Sequence, residues 1–290
     1  MSKTIKGQNF ETIQTVEKMH EVTNRLRMNG KKIALVPTMG YLHEGHLSLL
    51  RLARKTSDTV VMSLFVNPTQ FGPTEDLDKY PRDFRGDLEK AADEGVDYCF
   101  APNTKEMYPD GFQTYVEVEE LTKHLCGSSR PTHFRGVATV VMKLFNAVKP
   151  HIAIFGQKDY QQLQVIRRMV EDMNMEIEIK AGPIVREHDG LAMSSRNALL
   201  SARERKQAAS IIEGLKCAER LFGRGERCAL QLVSSAKKVI EAEPDAKIDY
   251  VELRDPKTLE KLERVKDRGL LAAAVFVGKT RLIDNMVLEK

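Results

Sequence analysis

One stretch of this chain decides its fold: Val36-Pro37-Thr38-Met39-Gly40-Tyr41-Leu42-His43-Glu44-Gly45-His46-Leu47. The residues before it, Lys32–Val36, form a short apolar run that predicts a strand. The residues after it, Leu47–Arg54, have the apolar spacing of a helix. The stretch is therefore predicted to be a strand-to-helix turn. In an open parallel sheet such turns lie at the carboxyl edge of the strands, where α/β proteins bind their ligands.

The chemistry of this turn suits phosphate. A helix N-terminus presents unpaired backbone N–H groups and a partial positive charge, and Gly40 and Gly45 leave room for a ligand against the backbone. His43 and His46 fall on one face of the first helical turn, where each ring can donate an N–H and can carry positive charge near neutral pH. The alternatives are two solvated histidines or a metal site, but His-x-x-His without a nearby cysteine or third ligand is a poor zinc site.

Composition limits the class of protein. The chain has 290 residues, enough for two domains, and 42% of them are hydrophobic and 30% charged. The net charge of +4 comes without a long block of Lys or Arg, which does not favour nucleic acid. The cysteines lack Cys-x-x-Cys spacing and are interpreted as buried or incidental thiols in a reducing compartment. The N-terminus lacks the apolar segment of a signal peptide, and the longest apolar run, Leu270–Val277, is too short to span a bilayer. We expect a soluble, cytoplasmic protein.

The order of elements predicts two domains. Up to about Gly182, strands alternate with helices, which predicts an α/β domain with a Rossmann-like, doubly wound parallel sheet, residues 1–182. Its predicted strands are Lys32–Val36, Val60–Val66, Asp97–Ala101, Thr114–Val118, His151–Phe155 and Glu176–Lys180. Its predicted helices are Thr12–Met28, Leu47–Lys55, Asp83–Glu94, Val137–Val148 and Tyr160–Met173.

Beyond Gly182 the order of the predicted elements changes. Two helices are followed by three closely spaced strands, which predicts a second, smaller α+β domain with an antiparallel sheet, a C-terminal lid domain of residues 183–290. The predicted elements are helices at Arg203–Phe222 and Ala229–Ala242 and strands at Ile248–Leu253, Leu270–Val277 and Leu282–Leu288.

Two further segments carry groups suited to phosphate. Gly156-Gln157-Lys158-Asp159 follows another strand of the sheet and is predicted at the same edge as the two histidines. Lys158 would supply a point charge, and Asp159 would begin a helix or bind a ligand hydroxyl, although an ordinary capped turn explains both. In Met193-Ser194-Ser195-Arg196, two hydroxyls and a guanidinium can bind phosphate oxygens, whereas the alternative is a solvated serine-rich loop.

Amide side chains suggest where a second substrate binds. The loop with Asn67 and Gln70 offers amides rather than charges, which orient a hydroxyl-bearing substrate and penalise a mismatched one. Gln162, one helical turn after Asp159, either faces the same space or is an exposed helix residue. Arg130, with His133 and Arg135 nearby in sequence, either meets a carboxylate or forms a structural salt bridge, and the sequence does not decide between them.

Ordered blocks of sequence give the chain a resemblance to a known family. His43-Glu44-Gly45-His46 resembles the His-x-Gly-His signature of the class I nucleotidyltransferase and aminoacyl-tRNA synthetase superfamily. The segment 193–196 resembles a degenerate form of the mobile Lys-Met-Ser-Lys-Ser loop of that superfamily. Between about Leu35 and Leu200 the chain resembles the pantoate–beta-alanine ligase (pantothenate synthetase) family. The matching blocks are Pro37–Gly40, Leu42–His46, Phe65–Phe71, His133–Gly136, Gly156–Gln162, Val185–Glu187 and Gly190–Asn197. Gln157, where an acidic residue is common, and Thr69 are small departures beside the working positions.

The resemblance implies an ATP-dependent ligase of coenzyme A biosynthesis. ATP and (R)-pantoate would give an enzyme-bound pantoyl adenylate and pyrophosphate, and β-alanine would then attack the adenylate to give pantothenate and AMP. Mg²⁺ should accompany ATP, held mainly through phosphates and water rather than by a protein metal site. The family is typically dimeric, so we expect a homodimer, and no nucleic acid or membrane partner.

The resemblance also implies roles for the matched residues. The catalytic candidates, which would neutralise phosphate charge, are His43, His46, Lys158 and Arg196, with His46 as the proton donor. Gln70 and Gln162 would hold pantoate, and Asn67 and Arg130 are further candidates for the pantoate and β-alanine side. The residues implied to contact ATP are Met39, Gly40, Tyr41, Leu42, His43, Glu44, Gly45, His46, Gly156, Gln157, Lys158, Asp159, Val185, Met193, Ser194, Ser195 and Arg196.

Two other functions stay open on the sequence alone. Another His-x-Gly-His adenylyltransferase would adenylate a phosphate or a tRNA-linked amino acid, and the amide-rich loop Asn67–Phe71 disfavours a phosphorylated acceptor. A noncatalytic nucleotide-binding protein is disfavoured because both phosphate-side segments are intact. Pyrophosphate exchange against a panel of carboxylic acids would separate all three.

Overall fold

The computed structural model of the chain describes residues 10–73 and 75–289. They belong to two compact units: the first comprises Met1–Val118, Thr132–Gln157 and Val165–Pro183, and the second comprises Glu119–Pro131, Lys158–Gln164 and Ile184–Lys290. Each unit is therefore discontinuous in sequence.

Two short segments, 119–131 and 158–164, group with the second unit, although the sequence prediction placed both in the first domain. Side-chain hydrogen bonds within the second unit explain the difference. The Gln161 amide accepts from the Cys126 N–H at 3.0 Å and donates to the Leu121 carbonyl at 2.8 Å, and the Tyr160 hydroxyl donates to the Pro256 carbonyl at 3.1 Å. Contacts of this kind join residues far apart in the chain, so a contiguous reading of the sequence cannot find them.

Up to Gly182 the structure alternates strands and helices as predicted. The strands are β1 Glu11–Ile13, β2 Ile33–Thr38, β3 Thr59–Leu64, β4 Tyr98–Phe100, β5 Ile152–Gly156 and β6 Glu178–Gly182. The helices are α1 Val16–Met28, α2 Glu44–Thr56, α3 Phe84–Asp93, α4 Thr104–Met107, α5 Cys126–Ser129, α6 His133–Val148 and α7 Tyr160–Asp172. Short 3₁₀ turns occur at Pro68–Gln70, Leu77–Lys79 and Gln157–Asp159.

The six strands of the first unit form one sheet in the order β1-β4-β3-β2-β5-β6, and all neighbours are parallel. The central strands β2 and β3 are buried almost throughout, which explains their continuous apolar sequence. The chain proceeds from β2 to β3 and β4 on one side and returns to β5 and β6 on the other, so the topology reverses between β2 and β5. The predicted doubly wound parallel sheet is confirmed, and its switch point falls at the histidine-bearing turn.

Two predicted elements of the first unit are wrong in detail. The helix predicted over Thr12–Met28 begins only at Val16, because Glu11–Ile13 pairs with β4 as the edge strand and Thr15 caps the helix. Residues 114–118, predicted as a strand, are not assigned to any strand in the structure. The Val116 N–H instead donates to the Thr139 hydroxyl of α6 at 3.0 Å.

The second unit contains the predicted antiparallel sheet. Its strands are β7 Ala246–Arg254, β8 Arg268–Val277 and β9 Thr280–Glu289, paired in that order. Its helices beyond residue 200 are α8 Ala202–Ala208, α9 Ser210–Gly223 and α10 Ala229–Ile240, and a 3₁₀ turn covers Ser195–Leu199. The helix predicted over Arg203–Phe222 is interrupted at Ala209, an alanine that by itself favours helix, so nothing in the sequence marks the break.

Each unit has its own apolar core. In the first unit, Leu50, Ala53 and Met62 are fully buried where α2 packs on the sheet. In the second unit, Leu215, Leu232 and their neighbours pack against β8. Among the described residues, no helix is both long and apolar enough to cross a bilayer.

Candidate active site

The histidine turn, residues 39–46, connects β2 to α2. Gly40 has φ of +86° and Tyr41 has φ of +52°, so the chain passes through two consecutive left-handed conformations. A Cβ atom on Gly40 would lie 2.9 Å from Oδ2 of Asp87. Glycine is therefore required at position 40 both by its backbone angle and by the close approach of Asp87.

The two imidazoles of the histidine turn complete the N-terminus of α2. Nδ1 of His43 accepts the Gly45 N–H at 3.1 Å, and Nδ1 of His46 accepts the His43 N–H at 3.4 Å. The ring centroids are 4.1 Å apart. Because Nδ1 acts as acceptor in both rings, the hydrogen of each neutral ring is on Nε2.

This arrangement fixes which ring nitrogen of each histidine carries the hydrogen available to a ligand. Nδ1 accepts a backbone N–H in both rings, so the donating hydrogen is on Nε2. An imidazole with hydrogen on Nε2 is a directed N–H donor beside a helix N-terminus, where the helix dipole already attracts anions. The histidine turn can therefore bind phosphate oxygens through donors whose tautomer is fixed by the fold.

Asp87, a residue of α3, holds the histidine turn in place. Its side chain is 1% exposed, and its two oxygens accept the backbone N–H groups of Tyr41 at 2.7 Å and Leu42 at 2.6 Å. Burial raises the pKa of Asp87 above its ordinary value, although the two N–H donors oppose that shift. The Lys90 ammonium donates to the Leu42 carbonyl at 2.9 Å from the same helix.

Sequence reasoning missed Asp87. The residue is one of several acidic positions on an amphipathic helix more than forty positions after the turn, and nothing local distinguishes it. The backbone angles at Gly40 and Tyr41 leave two consecutive N–H groups on the same side, and only the tertiary structure brings a carboxylate to them.

The amide loop, residues 67–71, follows β3 and includes the 3₁₀ turn Pro68–Gln70. Asn67 is 1% exposed and donates to Oε1 of Gln70 at 2.9 Å. Nε2 of Gln70 lies 3.3 Å from the Met39 sulfur, so this loop contacts the histidine turn directly. The ring of His133 is hydrogen-bonded to the Gln70 carbonyl at 2.9 Å. The first unit thus brings Met39, Asn67, Gln70 and His133 together.

Glycine 136 allows α6 to approach the amide loop. A Cβ atom at that position would lie 2.3 Å from the Thr69 carbonyl oxygen, closer than any side chain permits. On the other side of the switch point, β5 ends at Gly156 and is a direct neighbour of β2. Gly156 and Gln157 therefore lie at the same edge of the sheet as the histidine turn, as the sequence predicted.

The second unit contains the remaining predicted residues. Lys158 follows β5 in the 3₁₀ turn, and its carbonyl accepts from the Asn285 amide at 2.9 Å. Gln162 is half-buried in the first turn of α7. Arg130 ends α5, and its guanidinium lies 3.9 Å from the Cys126 sulfur.

The serine–arginine hairpin, residues 185–197, is a regular structure rather than an open loop. The Glu187 N–H donates to the Leu191 carbonyl at 2.8 Å, and the Met193 N–H donates to the Val185 carbonyl at 3.0 Å. The Ser194 hydroxyl then accepts from the Arg196 N–H at 3.2 Å and begins the 3₁₀ turn. The two serines and the arginine therefore follow directly from a hydrogen-bonded hairpin.

Ion pairs hold this hairpin within the second unit. Arg186 forms a two-pronged pair with Asp284 of β9 at 2.6 and 3.1 Å, and Asp284 is 3% exposed. Arg205 of α8 reaches Glu187 at 2.7 Å and Asp189 at 3.0 Å. Burial would raise the pKa of Glu187, but its hydrogen bonds from Arg205 and Asn197 outweigh burial and lower that pKa, while Arg205 lowers the pKa of Asp189.

Among residues 10–73 and 75–289, no group of three or more His, Cys, Asp or Glu side chains has the arrangement needed to hold a metal ion. The predicted residues fall into one group in each unit: the histidine turn, the amide loop and the end of β5 in the first, and Lys158, Gln162 and the serine–arginine hairpin in the second.

The fold defines the class of this protein: it is an α/β protein whose doubly wound parallel sheet has its switch point at the histidine turn. A family model described as "Pantoate-beta-alanine ligase" matches residues 11–287 of the chain. The chain belongs to the pantoate–beta-alanine ligase family, and it is an enzyme of the ligase class that forms pantothenate.

Individual relatives agree with this membership. The chain is 55% identical to a pantothenate synthetase of Thermotoga petrophila, with 96% of this chain and 100% of that protein covered. It is 56% identical to a pantothenate synthetase of Moorella thermoacetica, with 97% and 99% covered. These matches favour neither of the two alternative functions.

Two crystal structures are similar over almost their whole length. A pantothenate synthetase from Thermus thermophilus has a TM-score of 0.91 and 43% identity, covering 97% of this chain and 100% of that one. A pantoate–beta-alanine ligase from Francisella tularensis, crystallised with beta-gamma ATP and beta-alanine, has a TM-score of 0.81 and 34% identity, covering 97% and 98%.

Proposed function

We propose that this chain makes pantothenate in two steps on one enzyme. In the first, the carboxylate of (R)-pantoate attacks the α-phosphorus of ATP, forming the pantoyl adenylate and releasing pyrophosphate. In the second, the amine of β-alanine attacks the acyl carbon, forming the amide and releasing AMP. The observation that carries this proposal is the histidine turn, where two imidazoles with hydrogen on Nε2 stand at the N-terminus of α2.

In the first step the protein supplies position and charge stabilisation. Negative charge grows on the phosphate oxygens as the bond to pyrophosphate breaks, and donors already in place stabilise it without reorganisation. His43 and His46 would donate through Nε2, with His46 as the proton donor to the leaving pyrophosphate. Backbone groups of residues 39–46, together with Gly156, Gln157 and Asp159, would surround the nucleotide.

Positive charge and hydroxyl donors for ATP are proposed at further residues that the family resemblance implies. Lys158 and Arg196 would neutralise phosphate charge, while Ser194 and Ser195 would donate hydrogen bonds and Val185 and Met193 would complete the nucleotide site. The hairpin hydrogen bonds support this role, because the two serines and the arginine follow directly from the paired segment.

The amide side chains would bind the pantoate hydroxyl and carboxylate oxygens. Gln70 and Gln162 are proposed to contact pantoate directly. Asn67 is buried and bonded to Gln70, so we assign it to holding that amide rather than to touching substrate. Arg130 is proposed for a substrate carboxylate. That the Francisella tularensis protein was crystallised with beta-alanine and beta-gamma ATP supports the choice of substrates.

Mg²⁺ is proposed to accompany ATP and to neutralise part of its phosphate charge. The described residues contain no three-residue ligand set, and both oxygens of Asp87 in the histidine turn already accept backbone N–H groups. Mg²⁺ is proposed to be held mainly by phosphate oxygens and water.

We further propose that the first domain binds nucleotide and pantoate, that the second acts as a lid, and that the protein is a cytoplasmic homodimer. The dimer is proposed because the sequence resembles a family that is typically dimeric.

The proposed reaction is tested by the order of product release. With ATP and pantoate but no β-alanine, purified enzyme should release pyrophosphate in an amount equal to the enzyme sites and then stop. Adding β-alanine should start steady turnover with one AMP per pantothenate. AMP release that ignores β-alanine would contradict the proposal, and pyrophosphate release with other carboxylic acids would favour another adenylyltransferase.

A further inference from the structure

The side chain of Asn67 is surrounded by hydrogen-bond partners that fix its orientation. Its Oδ1 accepts from the Tyr108 hydroxyl at 2.8 Å, from the Thr69 hydroxyl at 2.9 Å and from the Thr69 N–H at 3.4 Å. Its Nδ2 donates to the Gly136 carbonyl at 3.1 Å and to Oε1 of Gln70 at 2.9 Å.

Two of these partners leave no choice between the amide oxygen and nitrogen. A backbone N–H can only donate, so the atom facing the Thr69 N–H must be the oxygen. A carbonyl can only accept, so the atom facing Gly136 must be the nitrogen. The Tyr108 hydroxyl lies 2.8 Å from Oδ1 of Asn67 and 3.2 Å from the Thr69 hydroxyl. Because Oδ1 can only accept, Tyr108 is the donor in the shorter of these two contacts.

The orientation of Asn67 sets the orientation of Gln70. Since Nδ2 of Asn67 is a donor, the atom of Gln70 that meets it must be the amide oxygen. The Nε2 group of Gln70 is then directed to the side where the Met39 sulfur lies, 3.3 Å away, next to the histidine turn. Gln70 therefore presents N–H donors on that side, and the substrate atom it selects there is an acceptor, such as a carboxylate or alcohol oxygen.

Three side chains are thus joined by hydrogen bonds in the order Tyr108, Asn67 and Gln70, and we call this series the relay. Tyr108 lies at its outer end. The residue ends α4, its ring packs edge-on against Phe112 with centroids 5.0 Å apart, and the Lys143 ammonium lies 5.8 Å from the ring centroid. Burial raises the pKa of the Tyr108 hydroxyl above its ordinary value, so it keeps its hydrogen at neutral and mildly alkaline pH. The hydroxyl therefore keeps a hydrogen to donate, and Oδ1 of Asn67 is the nearer of its two partners.

We propose that Tyr108 is a positioning residue for substrate selection: its hydroxyl, acting through Asn67, keeps the Gln70 amide oriented with its N–H groups toward the substrate. This inference rests on the proposed contact between Gln70 and pantoate. Without the hydroxyl, Oδ1 of Asn67 keeps the Thr69 donors, so the relay is weakened rather than abolished.

The test is Tyr108→Phe, which removes the hydroxyl and keeps the ring. The KM for pantoate should rise about 5- to 10-fold, the size expected for one hydrogen bond, while the KM values for ATP and β-alanine and the melting temperature stay near wild type. Tyr98→Phe, which removes a tyrosine hydroxyl from β4 of the same unit, is the matched control and should change none of them. Equal KM increases for all three substrates, or a change no larger than that of the control, would overturn the proposal.

The variant Gln70→Glu tests the proposed contact between Gln70 and pantoate separately from the role of Tyr108. One carboxylate oxygen can still accept from Asn67, whereas the other replaces the N–H donors with an acceptor. If Gln70 contacts pantoate, this variant loses pantoate binding strongly, and adding Tyr108→Phe to it causes little further change. If the pantoate KM of Gln70→Glu is normal, the contact itself is wrong. If Gln70→Glu is defective but Tyr108→Phe is normal, only the relay is wrong.

Discussion

The histidine turn and the serine–arginine hairpin carry groups of similar purpose, yet the fold holds them by different means. The turn is held by backbone hydrogen bonds to one buried carboxylate, Asp87, and by imidazoles that cap their own helix. The hairpin is held by guanidinium–carboxylate pairs that are partly open to solvent, with Arg205 at 22% side-chain exposure. The first kind of support is short-ranged and depends little on salt, whereas salt weakens the second.

The two regions also differ in how directly their supporting residues are proposed to take part in the reaction. The imidazoles of the turn are both the support and the proposed phosphate donors, so replacing one should affect chemistry most. Asp87 supports the turn without touching phosphate, and Arg205 supports the hairpin through exposed ion pairs. The expected effects therefore decrease in that order.

His46→Ala should cause the largest loss. Removing a preorganised donor to developing negative charge lowers kcat by about 10²–10³. The measurement is single-turnover pyrophosphate release from ATP and pantoate, alongside a thermal melt to confirm that the variant is folded. His20→Ala, on α1, is the control and should release pyrophosphate at the normal rate. A His46→Ala enzyme with near-normal adenylation would remove His46 from the proposed mechanism.

Asp87→Asn should cause an intermediate effect, mostly on stability. The amide can accept only one of the two N–H groups and places its own N–H groups against the other, which costs about 1–3 kcal/mol. Denaturant unfolding measures this loss, and hydrogen exchange at Tyr41 and Leu42 should accelerate. Asp83→Asn, which changes the N-cap of the same helix to another good N-cap residue, should be near neutral. Equal stability of the two variants would show that Asp87 does not hold the turn.

Arg205→Ala should cause the smallest effect. Partly exposed ion pairs stabilise a protein by about 1 kcal/mol or less. Because the variant holds the hairpin less firmly, the KM for ATP should rise modestly, while the KM for pantoate should stay unchanged. Arg203→Ala, which removes a more exposed arginine of α8 paired with Asp245 at 2.9 Å, is the matched control.

The stability of wild type and of Arg205→Ala, measured as a function of pH, tests the same ion pairs. The pKa values of Glu187 and Asp189 lie below their ordinary values of 4.5 and 3.8, so the stability that these groups contribute is present above those values and is lost as the pH falls through the lowered ones. The stability difference between wild type and Arg205→Ala should therefore disappear in acid. A difference that persists below the lowered pKa values would mean that Arg205 acts by packing rather than by charge.

The fold was largely predictable because the side of a helix or strand that is buried determines the spacing of its apolar residues, and that spacing can be recognised in the sequence. The continuous apolar runs of β2, β3 and β5 and the spacing in α2 and α10 identify those elements without any neighbour. The edge strand β1 was missed because three residues at a sheet edge carry too little pattern. Residues 114–118 were predicted as a strand because alternation identifies a strand-forming sequence but not the partner that a strand requires.

The sites divide in the same way. His43, His46, Gln70, Lys158 and Arg196 were found as candidates because they stand in recognisable local patterns, and their roles remain proposals. Asp87 and Tyr108 were not found, because each acts on a backbone N–H or an amide more than forty positions earlier in the chain. Only folding brings such groups within hydrogen-bonding distance.

What the sequence alone determined is the alternation of strands and helices, the division into a parallel and an antiparallel sheet, and the histidine turn, because all of these follow from residues close together in the chain. What only the tertiary structure decided is the tautomer of the two imidazoles, the direction of the Gln70 amide and the support of the hairpin. These depend on directional hydrogen bonds between distant residues, whose partners no local pattern specifies.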